Sequence, residues 1–232
     1  MSPNRRLDQL FAAWQRKYPR EERSGFSRDG IIDEALYKKE KERILFILQE
    51  PNTTGSKYGR YNGCDLRSEF YQPKDKKEVF INIALWARAI LDGKQTYQRF
   101  NNEEAALHIR RVAIMNLKKI GGSGKADMGK VKEHAWQYRS NLSKQLEIIN
   151  PTVIVVCGDK TNEFFAQVVC NDSECSQRGE VWSHKKRQII LANHPSCRPK
   201  DAPSALRKIV DRARLARIGA YVKTMADSIH VS

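Results

Sequence analysis

The sequence has 232 residues, 40% of them hydrophobic, which is enough for one substantial core. Its 42 Lys and Arg exceed its 27 Asp and Glu and give a formal net charge of +15, an excess typical of proteins that bind a polyanion. The longest apolar runs are about five residues, whereas a membrane-spanning helix needs about 20, so a transmembrane protein is excluded.

The N-terminal segment predicts two amphipathic helices, over 7–17 and 30–41. Arg5 and Arg6 stand where an export signal would place its apolar stretch, so we expect a cytoplasmic protein with reduced cysteines. We expect residues 1–42 to form a helical extension that packs on the rest of the chain.

Four near-continuously apolar runs predict strands that are buried on both faces, over 43–48, 112–116, 152–157 and 188–193. Segments with helical periodicity lie between and after them, at 79–91, 128–149, 160–169 and 203–229. The alternation predicts an α/β fold, a three-layer α/β/α sandwich with a central, mainly parallel four-stranded sheet. No repeat or low-complexity tract interrupts the pattern, so residues 1–232 are interpreted as a single domain.

Polar residues follow each predicted strand, and the carboxyl ends of parallel strands are where ligands bind in open α/β sheets. Glu50 follows the first strand and His194 follows the last. A carboxylate there could orient a water molecule, and an imidazole could donate to a leaving group that becomes negative. The alternative is structural: a glutamate that caps a loop and a histidine satisfied within a turn.

Three motifs, in order and spacing, resemble the uracil-DNA glycosylase superfamily over about residues 43–200. They are Leu48-Gln49-Glu50-Pro51, the strand that ends at Asn116, and His194-Pro195-Ser196. The segment at 59–63 also resembles a Gly-Arg-Pro-Phe-x-Gly loop of that family and places Tyr61 where its stacking Phe stands.

The resemblance implies a monofunctional DNA glycosylase, which flips a nucleotide out of the stack and hydrolyses its N-glycosidic bond. By that analogy Glu50 positions the water and His194 stabilises the departing base. Asn116 reads the base edge, Tyr61 stacks on the base, and Gln49 belongs to the same base-binding set. We expect a monomer that acts on single- or double-stranded DNA and needs no cofactor or metal.

One departure from the family pattern bears on the substrate. Asn52 stands where the best-known branch has a Tyr that blocks 5-substituted pyrimidines. A smaller residue predicts that 5-modified pyrimidines enter as well as uracil, in base-excision repair or in defence against phage. The alternative is that Tyr58 or another aromatic residue refills the gap.

Further residues are predicted to contact the DNA backbone. Residues 185–223 carry eleven Lys and Arg against two Asp, which we interpret as a DNA-binding surface in preference to a merely solvated helix face. Lys118 and Lys119 begin a glycine-rich loop that we expect to clamp the backbone. Ser196 is expected to contact a phosphate, and Arg198 to act as a wedge in the base stack or as one more phosphate contact.

Other chemistries are less well supported. The cysteines lack the Cys-x-x-Cys spacing of an iron-sulfur site, and a zinc site from Cys170, Cys175 and His184 has the wrong spacing. A magnesium-dependent nuclease could use Glu50 with Asp127, or with Asp159 and Lys160. A third possibility is a module that binds modified DNA without turnover.

Core packing is expected for Cys157 and for the tryptophans, which are Trp14, Trp86, Trp136 and Trp182.

Overall fold

The computed structural model describes residues 1–52, 63–71, 78–93, 100–122, 126–158, 161, 164–165, 175–178, 181–184, 187–196, 208–209 and 211. Its strands form one seven-stranded sheet in the order β1-β3-β2-β4-β7-β6-β5. The strands are β1 (Gly30–Ile31), β2 (Ile44–Leu48), β3 (Ala113–Asn116), β4 (Val153–Cys157), β5 (Cys175–Arg178), β6 (Val181–His184) and β7 (Arg187–Ala192).

The four predicted strands are β2, β3, β4 and β7, and they form the parallel centre of the sheet, as expected. The sheet is wider than predicted because antiparallel strands extend both edges: β1 pairs with β3, and the β5-β6 hairpin pairs with β7. These additions carry weak sequence signals, since β1 has only two residues and β5 is polar.

Helices cover both faces of the sheet, so the fold is the expected α/β/α sandwich. Side chains alternate along β2. Phe46 belongs to the core on one face, which includes Trp86, and Ile47 belongs to the core on the other face, which includes Trp14 and Leu142. None of the described helices is both long and apolar enough to cross a membrane. They are α1 (Pro3–Gln15), α2 (Glu34–Lys39), α3 (Leu66–Tyr71), α4 (Glu78–Asp92), α5 (Asn102–Ile109), α6 (Met128–Gln137) and α7 (Arg139–Ile149).

The predicted helix over 30–41 is wrong in its first half. Gly30 has φ of +135°, which glycine adopts readily, and with Ile31 it forms the edge strand β1. The helix α2 begins only after Asp33, whose carboxylate accepts hydrogen bonds from two backbone N–H groups of its first turn. The N-terminal segment is therefore not purely helical, because it contributes a strand to the sheet.

Other helix predictions need smaller corrections. The predicted helix over 128–149 is two helices, which meet at Tyr138. Two short helices, α3 and α5, were missed, although Asn101 and Glu104 form a capping box at the start of α5. Thr161 and residues 164–165, 208–209 and 211 are helical, and the rest of the predicted helices over 160–169 and 203–229 lies outside the described residues.

The expected packing of the tryptophans is correct for two of them. Trp14 and Trp86 are buried, but Trp136 is 54% exposed on α6, where the Arg139 guanidinium lies over its ring. The side chain of Trp182 lies outside the described part of the chain.

A fully buried ion pair ties the N-terminal segment to the sheet and to α7. The ammonium of Lys119 lies 2.7 Å from both carboxylate oxygens of Asp29. Asp29 also accepts hydrogen bonds from the Gln145 side chain at 2.6 Å and from the Asn116 backbone N–H at 2.7 Å. Because an unpaired buried charge is costly, each partner requires the other.

Replacing Lys119 by Met therefore leaves the Asp29 carboxylate buried without its cation. We expect Lys119→Met to lower the free energy of unfolding by about 3–5 kcal/mol, measured by urea denaturation. The matched change of an exposed lysine, Lys38→Met, should stay within about 0.5 kcal/mol of the parent. Equal stabilities of the two variants would contradict the role given to this pair.

Candidate active site

The central strands end in one row, and this places the candidate residues at a common edge. Asn116 pairs in register with Leu48 on one side of β2, and Ile47 pairs with Val156 on the other side. Cys157 in turn pairs with Ala192. With strands about 4.8 Å apart, the ends of β2 and β7 are separated by about 10 Å, with β4 between them. Glu50 and His194 follow these two strand ends.

The loop after β3 is joined to the loop after β2 by backbone hydrogen bonds. Backbone N–H groups of Leu117 and Lys118 donate to the carbonyls of Leu48 and Gln49, each at 3.0 Å. Gly122 then donates to the Pro51 carbonyl at 3.1 Å. The two loops are therefore held together beyond the strands, and Glu50 lies within this paired region.

Glu50 is enclosed between a lysine and a glycine. Its side chain is 5% exposed, and Oε2 lies 2.5 Å from the Lys118 ammonium. A Cβ atom on Gly122 would overlap the Glu50 carboxylate, so a side chain at this position would displace the carboxylate from its place. The carboxylate is thus held in one place by contacts on two sides.

The prediction that Lys118 and Lys119 clamp a DNA backbone is wrong for Lys119, while contact of Lys118 with DNA stays a prediction. Lys119 is 0% exposed and is paired with Asp29, so no phosphate can reach it. The side chain of Lys118 is 9% exposed and is paired with Glu50. Both lysines face buried carboxylates because an amine is buried at least cost beside an opposite charge.

His194 is held as a neutral imidazole with a defined tautomer. The Ser196 backbone N–H donates to Nδ1 at 3.2 Å, and the Ser196 hydroxyl lies 2.7 Å from the same atom. A backbone N–H can only donate, so Nδ1 must accept, and the proton of the neutral ring resides on Nε2. Burial lowers the pKa of His194. The ring therefore offers an uncharged N–H donor at neutral pH.

The loop that carries His194 is anchored by a residue that was not predicted. Asn82 of α4 is buried and donates its side-chain N–H to the Pro195 carbonyl at 2.7 Å. A signal was present, since Asn82 and Arg88 are the two polar residues in the helix predicted over 79–91. A buried amide in such a helix needs a hydrogen-bond partner, and the His-Pro loop supplies it.

Gly158, directly after β4, marks the point where three strand ends approach one another. It has φ of +98°, and a Cβ added there would lie 3.2 Å from Gln49 Nε2, 3.4 Å from Thr161 Oγ1 and 3.8 Å from His194 Cβ. The Thr161 hydroxyl is buried and has no hydrogen-bond partner among the described residues. Thr161 therefore joins Gln49 and His194 at this edge, although no sequence motif singled it out.

Asn116 is oriented by the buried carboxylate of Asp29. Its Nδ2 lies 3.3 Å from Asp29 Oδ2 and its backbone N–H donates to the same oxygen. A carboxylate accepts hydrogen bonds, so the amide nitrogen must be the atom that faces it. The amide oxygen of Asn116 is buried and has no hydrogen-bond partner among the described residues.

The remaining predicted site residues are placed as follows. Asn52 is exposed, and its backbone forms a bridge with Gly122. Ser196 is exposed and contacts the His194 ring, so its structural role is to fix that ring. Tyr61 and Arg198, and Tyr58 as the alternative aromatic, lie outside the described residues, as does most of the basic segment over 185–223.

Metal-ion ligands are not grouped in the described part of the chain, where no three His, Cys, Asp or Glu residues are suitably placed. Asp127, a candidate nuclease ligand, accepts hydrogen bonds from two backbone N–H groups at the start of α6 and is a helix cap. Cys157 is buried in β4 as expected, and burial raises the pKa of its thiol. The other candidates lie outside the described residues or their side chains do, namely Asp159, Lys160, Cys170, Cys175 and His184.

The chain matches no protein-family model, and it has no curated relative at a significant level of similarity.

The tautomer of His194 gives a direct prediction. Long-range ¹H–¹⁵N NMR at pH 7.5 should show the proton on Nε2, and the titration midpoint should lie below the ordinary value of about 6.5. At a pH between the pKa of His194 in the folded protein and its ordinary value in the unfolded chain, the unfolded chain binds more protons than the folded protein. Folding stability should therefore fall as pH decreases from about 6.5 through the folded-state pKa.

The variant Ser196→Ala removes the hydroxyl but keeps the backbone N–H, so it should retain the Nε2–H tautomer. A proton on Nδ1, or a midpoint above that of a histidine in an unfolded peptide, would contradict this description of His194.

Proposed function

We propose that the protein is a DNA N-glycosylase of the uracil-DNA glycosylase type, which hydrolyses the bond between a pyrimidine base and its deoxyribose. The observation that carries the proposal is that a buried carboxylate and a neutral N–H donor lie at the same edge of the sheet. Glu50 and His194 follow strands that end in one row, with one strand between them. The two strands lie about 10 Å apart, a spacing that would leave room for one flipped nucleoside between the residues that follow them.

The two groups suit the two ends of the bond that breaks. A water molecule held by the Glu50 carboxylate would attack C1′ of the sugar as the base departs. The leaving base carries negative charge, which the Nε2–H of His194 would stabilise by a hydrogen bond. Because the tautomer is fixed, the neutral ring already carries its proton on Nε2 and can donate it to this hydrogen bond without rearrangement.

Asn116 supports recognition of a pyrimidine. Its amide oxygen is directed away from Asp29 and can accept a hydrogen bond from a donor on the base edge. Uracil and thymine carry such a donor at N3, and cytosine carries one at its exocyclic amine. The Gln49 amide and the Thr161 hydroxyl, which both lie near Gly158, would supply further contacts.

The nucleic acid itself is supported by charge. The net charge of +15 favours a polyanionic partner, and the exposed position of Asn52 favours a site in which the pyrimidine 5-position is not blocked at this residue. We therefore propose 5-modified pyrimidines as well as uracil as substrates, with DNA repair and defence against phage as the two biological settings. Among the described residues, Asp127 serves as a helix cap, which argues against its use as a metal ligand of a nuclease.

Substitution of Glu50 tests the mechanism. We expect Glu50→Gln to slow base release by about 10²- to 10⁴-fold under single-turnover conditions, because the amide cannot take a proton from the water. Release is measured as alkali-sensitive sites in labelled oligonucleotides with EDTA present. The matched change of an exposed glutamate, Glu21→Gln, should leave the rate unaltered. Undiminished release by Glu50→Gln would contradict the role of this carboxylate.

The same assay tests the choice of base. Oligonucleotides that carry uracil, mismatched thymine, 5-hydroxymethylcytosine and glucosylated 5-hydroxymethylcytosine should show excision of at least one base with a 5-substituent. Activity on uracil alone would contradict the open 5-position. Alkali-independent cuts that appear only with magnesium would favour the nuclease.

A further inference from the structure

The amine of Lys118 is unusually placed for a lysine in a basic protein. It lies 2.5 Å from Glu50 Oε2, and the side chains of the two residues are 9% and 5% exposed. A lysine that only attracts DNA would extend into solvent. Here the loop that begins at Lys118 is instead fastened over Glu50 by backbone hydrogen bonds, so the amine is held beside the carboxylate.

We propose that Lys118 gives the protein a second activity beyond the monofunctional reaction that the resemblance implies, namely cleavage of the DNA strand at an abasic site through an imine intermediate. The proposal rests on the proposed function in one respect, since base release would supply the abasic sugar in the same site. An amine beside a carboxylate has the two groups that this reaction needs, a nucleophile and a base that can take its proton.

The steps balance without an added oxidant or metal. Glu50 takes a proton from the ammonium of Lys118, and the free amine adds to the C1′ aldehyde of the open sugar. Glu50 returns that proton to the C1′ hydroxyl, which leaves as water, and a protonated imine forms between Nζ and C1′. The Glu50 carboxylate then removes a proton from C2′.

The electron pair of the broken C2′–H bond forms the C2′=C3′ double bond, and the C3′–O bond breaks. The phosphate leaves with the bonding electrons, which cuts the strand and leaves a 5′-phosphate on the downstream fragment. Water hydrolyses the imine, releases the unsaturated aldehyde and restores the Lys118 amine. The proton on Glu50 passes to solvent.

The burial of Lys118 and Glu50 favours this series of reaction steps over a role in which the two charges only neutralise each other. Direct contact lets the proton pass between Nζ and Oε2 without a bridging water. The packing of Gly122 against the carboxylate limits the positions that Glu50 can adopt, which keeps it near the carbon atoms bonded to the lysine. The low exposure of both groups also limits access of water to the imine.

The test uses DNA that already contains an abasic site, so it does not depend on which base is excised. The full-length protein is incubated with this oligonucleotide and EDTA, and sodium borohydride is added to reduce any imine to a stable amine. The parent protein should give a covalent protein–DNA complex, and mass spectrometry of its peptides should place the link on Lys118. Without borohydride, it should cut the strand without alkali.

Two variants separate chemistry from folding. Lys118→Met removes the amine, and Lys118→Arg keeps a cation beside Glu50 but cannot form the imine. Both should reduce the covalent complex to background, while the exposed-lysine control Lys38→Met should retain it. Binding of DNA that carries a stable abasic analogue, measured by gel shift, should persist in Lys118→Arg and shows that this variant is folded.

Three results would overturn the proposal: no covalent complex with the parent protein, undiminished complex with Lys118→Arg, or a link to a lysine other than Lys118. Failure here is distinct from failure of the proposed function. A protein that releases bases but is not trapped on abasic DNA retains the glycosylase activity and lacks the second one. A protein that forms the covalent complex with abasic DNA but releases no base has the strand-cleaving activity and lacks the glycosylase activity.

Discussion

The buried carboxylate of Asp29 is the constraint on which the site depends. It lies in the segment before β1, and it accepts hydrogen bonds from Asn116 at the end of β3, from Lys119 beyond it and from Gln145 within α7. One side chain thus joins three parts of the fold. Its charge draws Lys119 into the interior, and Lys118 pairs with the other carboxylate, Glu50. The Asp29 carboxylate also orients the Asn116 amide. The stability of this region and the orientation of Asn116 therefore depend on the same buried charge.

The two sides of the candidate site are held by different means. On the β3 side, opposite charges and a close glycine fix Glu50, so its position depends on Lys118 and Gly122. On the β7 side, neutral hydrogen bonds fix His194, whose ring is held by Ser196 while Asn82 holds the loop. A carboxylate and an uncharged N–H donor thus follow strands that β4 separates. The proposed hydrolysis of a glycosidic bond needs two such groups, one on each side of the bond that breaks.

The central fold could be predicted because its strands are short, apolar and buried on both faces, as at 43–48 and 152–157. The strand ends then located the candidate residues by topology alone. The burial of the two lysines was missed because adjacent lysines in a glycine-rich loop look like an exposed surface clamp. Their burial is set by partners distant in sequence: Asp29 is 90 residues from Lys119, and Glu50 is 68 from Lys118. Thr161 and Asn82 likewise acquire their places only through tertiary packing.

The most direct measurement is mass spectrometry of all products from one reaction of the protein with pyrimidine-modified DNA in the presence of EDTA. The free bases and the DNA strands are quantified together. A DNA glycosylase at this edge of the sheet predicts a free pyrimidine base in an amount equal to the DNA positions that lost one. DNA that stays intact with every pyrimidine tested, or strand fragments without free base, would contradict it.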